Sequence, residues 1–181
     1  MSKADRFKKK VVIVTGAAQG IGRGVALQVA AEGGKVLAVD RSDLVNEVVE
    51  EIKAAKGKAV AFQADLETYA GAQAVVAEAL KQFKRVDILI NNAGVFESNP
   101  IESDDDDWLA CWQRTMAINL TASADLCRRF VRHCQAGGHG GRIINIASIA
   151  GPLAAVTMPP YSVAKQGVIT FTRVVAKELA P

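Results

Sequence analysis

Little in this chain invites a disulfide, a metal or a membrane. Its three cysteines, Cys111, Cys127 and Cys134, are odd in number and lack Cys-x-x-Cys spacing. They suit reduced, unbridged thiols in a cytoplasm better than a disulfide framework or a zinc site. There are two histidines. His133 has no evident ligand partner, and His139 sits in a Gly137-Gly138-His139-Gly140-Gly141 turn, so no metal is expected. No apolar run approaches the ~20 residues of a membrane span, and no apolar signal-peptide region follows the N-terminal lysines. The net charge is a modest +3, and much of the basic excess lies in Lys3, Arg6, Lys8, Lys9 and Lys10. A short basic lead-in with no aromatic-rich basic stretch after it reads as a solvated terminus, and nucleic acid is not expected as a partner.

What is present fits one globular domain, 1–181. Half of the 181 residues are apolar and 23% are charged, enough for a real core. Short β-branched runs alternate with longer helix-like segments. Strands are expected at 11–15, 35–40, 58–63, 86–90 and 142–147. Helices are expected at 21–32, 44–56 (ended by Gly57), 69–83, 104–135 and 161–179. Val11-Val12-Ile13-Val14-Thr15 reads as a strand buried on both faces, as parallel strands are. Strict alternation gives an α/β, doubly wound parallel sheet with helices on both sides. Ser103 is the expected N-cap of the long helix, with Asp104, Asp105, Asp106 and Asp107 at the positive end of its dipole. A cation site is disfavoured there, because ligands must converge rather than wrap a turn.

The first strand feeds Thr15-Gly16-Ala17-Ala18-Gln19-Gly20-Ile21-Gly22. Glycines between a strand and a helix let backbone approach a ligand closely, and the helix N–H groups and dipole favour an anion such as pyrophosphate. The second strand ends at Asp40, about where an acidic residue takes the ribose hydroxyls of NAD and repels a 2′-phosphate. Arg41 beside it could pair with that phosphate, but Gln19 adds no charge to the loop. The balance favours NAD over NADP.

Tyr161 and Lys165 stand at i and i+4 on an expected helix, so their side chains share a face. A phenol is a poor base at neutral pH, and a fixed ammonium nearby favours the phenolate. The pair is a candidate acid/base device for an alcohol oxygen. Spacing alone favours the plainer reading, a tyrosine packed under a solvated lysine.

Taken in order, Thr15-Gly-x-x-x-Gly-Ile-Gly22, Asn91-Asn92-Ala93-Gly94 and Tyr161-x-x-x-Lys165 resemble the short-chain dehydrogenase/reductase family over essentially the whole chain. The resemblance implies a Rossmann-type fold and adds Asp65 with Leu66 after the third strand, Asn119 on the long helix, and Ser148 ending the fifth strand. Ser148 lies 13 residues before Tyr161. It implies that Gly16, Gln19, Gly20, Ile21, Gly22, Asp40, Arg41, Asp65, Leu66, Asn92, Ala93 and Gly94 bind the cofactor, with Tyr161 and Lys165 at its nicotinamide ribose. Tyr161 would exchange a proton with an alcohol or ketone, Ser148 would hold the substrate oxygen, and Asn119 would position a water linking Lys165 to solvent. A homo-oligomer, dimer or tetramer, is implied too, although Val168, Phe171, Val175 and Leu179 equally fit core packing.

The first ninety residues, particularly 39–44 and 64–69, are similar to bacterial cis-dihydrodiol carboxylate dehydrogenases of aromatic catabolism. After Asn92 the likeness is to generic members such as 3-oxoacyl reductases. Family members continue past the equivalent of Pro181 with further strands and a substrate lid, so the expectation is a fold lacking them, with the fifth strand at an exposed edge. Three functions follow: an NAD-dependent oxidoreductase, an NADPH-dependent ketoreductase, or a non-catalytic nucleotide-binding fragment.

Overall fold

The computed structural model describes residues 5–180; Lys3 and Pro181 lie outside them. Five strands form one sheet: β1 (Val11–Thr15), β2 (Lys35–Asp40), β3 (Lys58–Gln63), β4 (Ile88–Asn91) and β5 (Arg142–Asn145), in the order β3-β2-β1-β4-β5. The pairs β1–β2, β1–β4 and β2–β3 are parallel, with Val12 opposite both Val36 and Ile88. Every residue of β1 is buried, as its unbroken β-branched run requires of a central parallel strand. β5 closes one edge of the sheet with Arg142 and Ile144 exposed.

The helices are α1 (Gly20–Ala31), α2 (Val45–Ala54), α3 (Tyr69–Phe83), α4 (Asp105–Met116), α5 (Ala122–Ala136), α6 (Ala150–Leu153) and α7 (Pro159–Glu178), with a π-helical turn at Ala117–Thr121. The chain falls into two compact units. One holds the chain up to Ala93 with Asp125–Ile144, and the other holds Gly94–Ala124 with the chain from Asn145 onward. No helix of the described residues is long and apolar enough to cross a membrane.

In the first unit Val12, Val14, Ala26, Val29, Val36, Val48 and Ile52 belong to one packed apolar cluster. At the start of β1 a buried carboxylate does structural work. Asp87 accepts the Val11 N–H at 2.9 Å and the Arg85 Nε–H at 2.7 Å, with Lys10 Nζ 3.9 Å away. These partners make burial of the charge tolerable.

Several boundaries differ from the sequence reading. The expected 104–135 helix is broken by the π turn, and its N-cap is Asp104 rather than Ser103, since Asp104 carries the extended backbone of a cap (ψ 145°) without a side-chain capping bond. Asp105, Asp106 and Asp107 occupy the first turn as expected. α2 is left through Lys56, at φ 62°, one residue before Gly57. β4 begins at Ile88 and β5 ends at Asn145, so Ser148 lies in the connection after the strand. The short α6 falls in a Gly-Pro stretch with no helical pattern. The two histidines meet, ring centroids 5.1 Å apart, and His133 Nε2 accepts the Val86 N–H at 3.4 Å. Burial, then the neighbouring His139, holds the His133 imidazole below its ordinary pKa. Of the four apolar positions expected on the last helix, Val168 is buried, Phe171 and Val175 are half-buried, and Leu179, just past the end of α7, is exposed.

Replacing Asp87 by Ala strands the Val11 N–H and the two cations. It is expected to cost about 1–3 kcal/mol of unfolding free energy, read as a lower urea midpoint; an unchanged midpoint would show that the carboxylate carries no structural weight.

Candidate active site

In the first unit the strand-to-helix turn is closely packed at two of its glycines and open at the third. Gly16 has φ 66°, and a Cβ there would sit 2.8 Å from Ala93 Cα and 2.9 Å from Asn92 Nδ2. A Cβ on Gly22 would collide with the Gly16 carbonyl oxygen. Gly20, by contrast, has φ 55° and nothing within 4 Å of where a side chain would start. Gly16 and Gly22 are therefore needed for packing, and Gly20 for its backbone and for open space. α1 starts at Gly20 after Gln19, which is extended and gives no side-chain cap; the first turn holds no acidic residue. Its leading N–H groups and positive dipole end remain for an anion. Ile21 is exposed at this mouth.

Thr15 fixes the facing segment. Its buried hydroxyl accepts the N–H groups of Asn92 and Ala93, each at 3.0 Å, and donates to the Ile90 carbonyl at 3.4 Å. Asn92 Nδ2 donates to the carbonyls of Thr15 (2.9 Å) and Gly16 (3.2 Å). At the end of β2, Asp40 accepts the Ala18 N–H on Oδ2 and the Ser42 N–H on Oδ1, both at 3.0 Å. Its carboxylate is thereby held against the glycine turn, and Arg41 beside it is exposed. After β3, Asp65 Oδ1 accepts the Glu67 N–H at 2.9 Å, and Leu66 is buried.

In the second unit Gly94, Asn119, Tyr161 and Lys165 lie together. Asn119, in the π turn and 1% exposed, bonds the Val95 backbone twice: Oδ1 accepts its N–H and Nδ2 donates to its carbonyl, both at 2.8 Å. π turns of this kind are frequent at functional sites because they re-aim a side chain out of helical phase. Lys165, 5% exposed, donates to the Ile146 carbonyl at 2.8 Å. Its Nζ lies 5.8 Å from the centre of the Tyr161 ring. Gly94 faces both groups: a Cβ there would be 3.1 Å from Asn119 Oδ1 and 3.6 Å from Lys165 Nζ. Tyr161 is half-buried and takes the Phe96 ring edge-to-face, centroids 4.9 Å apart. Ser148 Oγ accepts the Ala150 N–H at 3.2 Å, leaving its own O–H available.

Burial pushes the Lys165 amine below the ordinary lysine range, because desolvation penalises the charged form. The unfolded chain then binds more protons than the native one between the depressed and the ordinary pKa. Stability arising from this group rises as pH climbs through that window. The Tm difference between wild type and Lys165→Met should therefore grow in favour of wild type from pH 7.5 to 10. A flat difference would mean the amine is not desolvated.

Sequence reasoning missed three participants. Thr15 stood in the motif, but its hydroxyl role needs the pairing of β1 with β4 to be known. The Ile146 carbonyl carries no side-chain signature. Phe96 had no signal beyond following Gly94-Val95. Among the described residues, no group of three or more His, Cys, Asp or Glu side chains converges as a metal site.

The model of the short chain dehydrogenase family matches residues 10–181. A 1,6-dihydroxycyclohexa-2,4-diene-1-carboxylate dehydrogenase of Acinetobacter baylyi is 42% identical over 182 residues, covering 99% of this chain and 67% of the relative. A 3-oxoacyl-[acyl-carrier-protein] reductase of Synechocystis is 39% identical, covering 94% of this chain and 68% of its own. A Beutenbergia cavernae protein described as an NAD(P)-dependent gluconate 5-dehydrogenase, crystallised with NADP at low occupancy, superposes with a TM-score of 0.85 at 38% identity, covering 94% of this chain and 67% of that one. The chain thus spans about two thirds of the length of these relatives, and the similarity runs along nearly all of its own.

Proposed function

The chain belongs to the short-chain dehydrogenase family of NAD(P)-dependent oxidoreductases, and we propose that it oxidises a secondary alcohol or reduces the matching ketone, with Tyr161 as the acid/base. The observation carrying this reading is the buried Lys165 amine, fixed on the Ile146 carbonyl and 5.8 Å from the Tyr161 ring. A lysine is buried at a desolvation cost, and a neighbouring phenol that must bear negative charge gives that cost a purpose. Tyr161 takes the proton from the substrate hydroxyl, or returns it to the carbonyl oxygen. Ser148 donates to that oxygen as charge develops. Asn119 holds the Val95 backbone and thereby the segment bearing Gly94. A bound nicotinamide supplies the hydride chemistry.

The glycine turn fits the pyrophosphate: an open Gly20, an uncapped α1 and no side chain in the way. NAD is the proposed cofactor. The Asp40 carboxylate is held in place by two backbone amides, and a 2′-phosphate beside it would meet like charge. An aromatic-ring cis-diol is the proposed substrate, supported by the 42% identical relative named for a dihydroxycyclohexadiene carboxylate. A cytoplasmic homo-oligomer, dimer or tetramer, belongs to the same reading.

Tyr161→Phe is expected to lower turnover by about 10²–10⁴ while leaving NAD binding, measured by calorimetry, within a few-fold. Retained turnover would sink the acid/base role. Asp40→Ala should move the kcat/KM ratio toward NADP; an unmoved ratio would place cofactor choice elsewhere. NAD reduction with cis-diols, secondary alcohols and 3-hydroxyacyl thioesters ranks the substrates, and no turnover of any diol removes the diol proposal in favour of the ketoreductase.

A further inference from the structure

We propose that Phe96 is a specificity-determining residue, selecting substrates that carry a flat, apolar ring beside the reacting carbon. The inference rests on the oxidoreductase reading of the same site and narrows its substrate class.

Phe96 is 64% exposed yet held in place. On one side Asn119 grips both backbone groups of Val95. On the other, the Asn99 N–H donates to the Thr157 carbonyl at 2.6 Å, and Asn99 Nδ2 to the Trp108 carbonyl at 3.1 Å. An apolar ring on a fixed backbone and open to water is a waiting contact rather than a frayed loop. Its edge-to-face contact with Tyr161, interplanar angle 83°, puts it next to the proton-exchanging group. A ring on the substrate can pack against such a neighbour in offset or edge-to-face geometry, and an alkyl chain of the same polarity gains less. Ile149, which directly follows Ser148, is exposed as well, so the residue beside the oxygen-holding serine is also apolar. The nearby charge is compensated, with Glu97 paired to Arg114 at 3.3 Å.

The test compares wild type, Phe96→Ala and Phe96→Tyr as full chains, with 1-phenylethanol and 2-butanol as probes. Saturation-transfer NMR reads binding without requiring turnover. Wild type should bind 1-phenylethanol about tenfold or more tightly than 2-butanol, Phe96→Ala should bring that ratio close to one, and Phe96→Tyr should keep it. No ring preference in wild type, or an unchanged preference in Phe96→Ala, overturns the proposal. NAD reduction by wild type separately decides whether the site is an oxidoreductase. Where turnover is measured, kcat/KM in Phe96→Ala should fall more for 1-phenylethanol than for 2-butanol. An equal fall in kcat for both would make Phe96 a support for Tyr161 and overturn the assignment.

Discussion

A single buried hydroxyl organises the mouth of the first unit. Thr15 closes β1, and its oxygen serves one backbone group in β4 and two in the segment leaving it. Because those bonds hold Asn92 and Ala93 against the turn, Gly16 has no space for a side chain. Gly22 is constrained in the same way by the Gly16 carbonyl. The glycine pattern is therefore a consequence of how closely two strand ends are drawn together, and only secondarily a matter of turn flexibility. A valine at position 15 would fill the same volume and abandon all three bonds.

The second unit solves a different problem, keeping an amine out of water beside a phenol. Lys165 has one strong acceptor, the Ile146 carbonyl, and a wall formed by Gly94 and Asn119. Gly151 packs against the α7 backbone, where a Cβ would lie 2.9 Å from the Gln166 nitrogen. Gly167 makes a similar close approach to Leu120. Gly151 facing α7 and Gly167 within it thus allow close packing of the helix that carries the buried lysine.

The layout was legible wherever periodicity or composition speaks for itself. β1, β2, β3 and α3 match the ranges read from the sequence, and the structure adds that Thr68 caps α3 by accepting the Gly71 N–H. The Tyr161–Lys165 pair gained meaning from the motifs around it rather than from its own spacing. What was hidden depends on backbone geometry. Periodicity cannot reveal the extra residue of a π turn, so the expected 104–135 helix ran unbroken through Asn119. The cap falls on Asp104 rather than Ser103, and composition does not separate them, since both residue types suit the position. Phe96 escaped notice because nothing in a sequence tells a fixed exposed ring from a loose one.

The glycine turn has a further consequence for acid–base behaviour. From Gly16 to Gly22 the chain carries glycines, two alanines, a glutamine and an isoleucine, none of which ionises. An anion seated there is held by amide dipoles whose strength is the same at pH 5 and at pH 9. If the turn holds phosphate as proposed, the seven residues from Gly16 to Gly22 contribute no group that titrates.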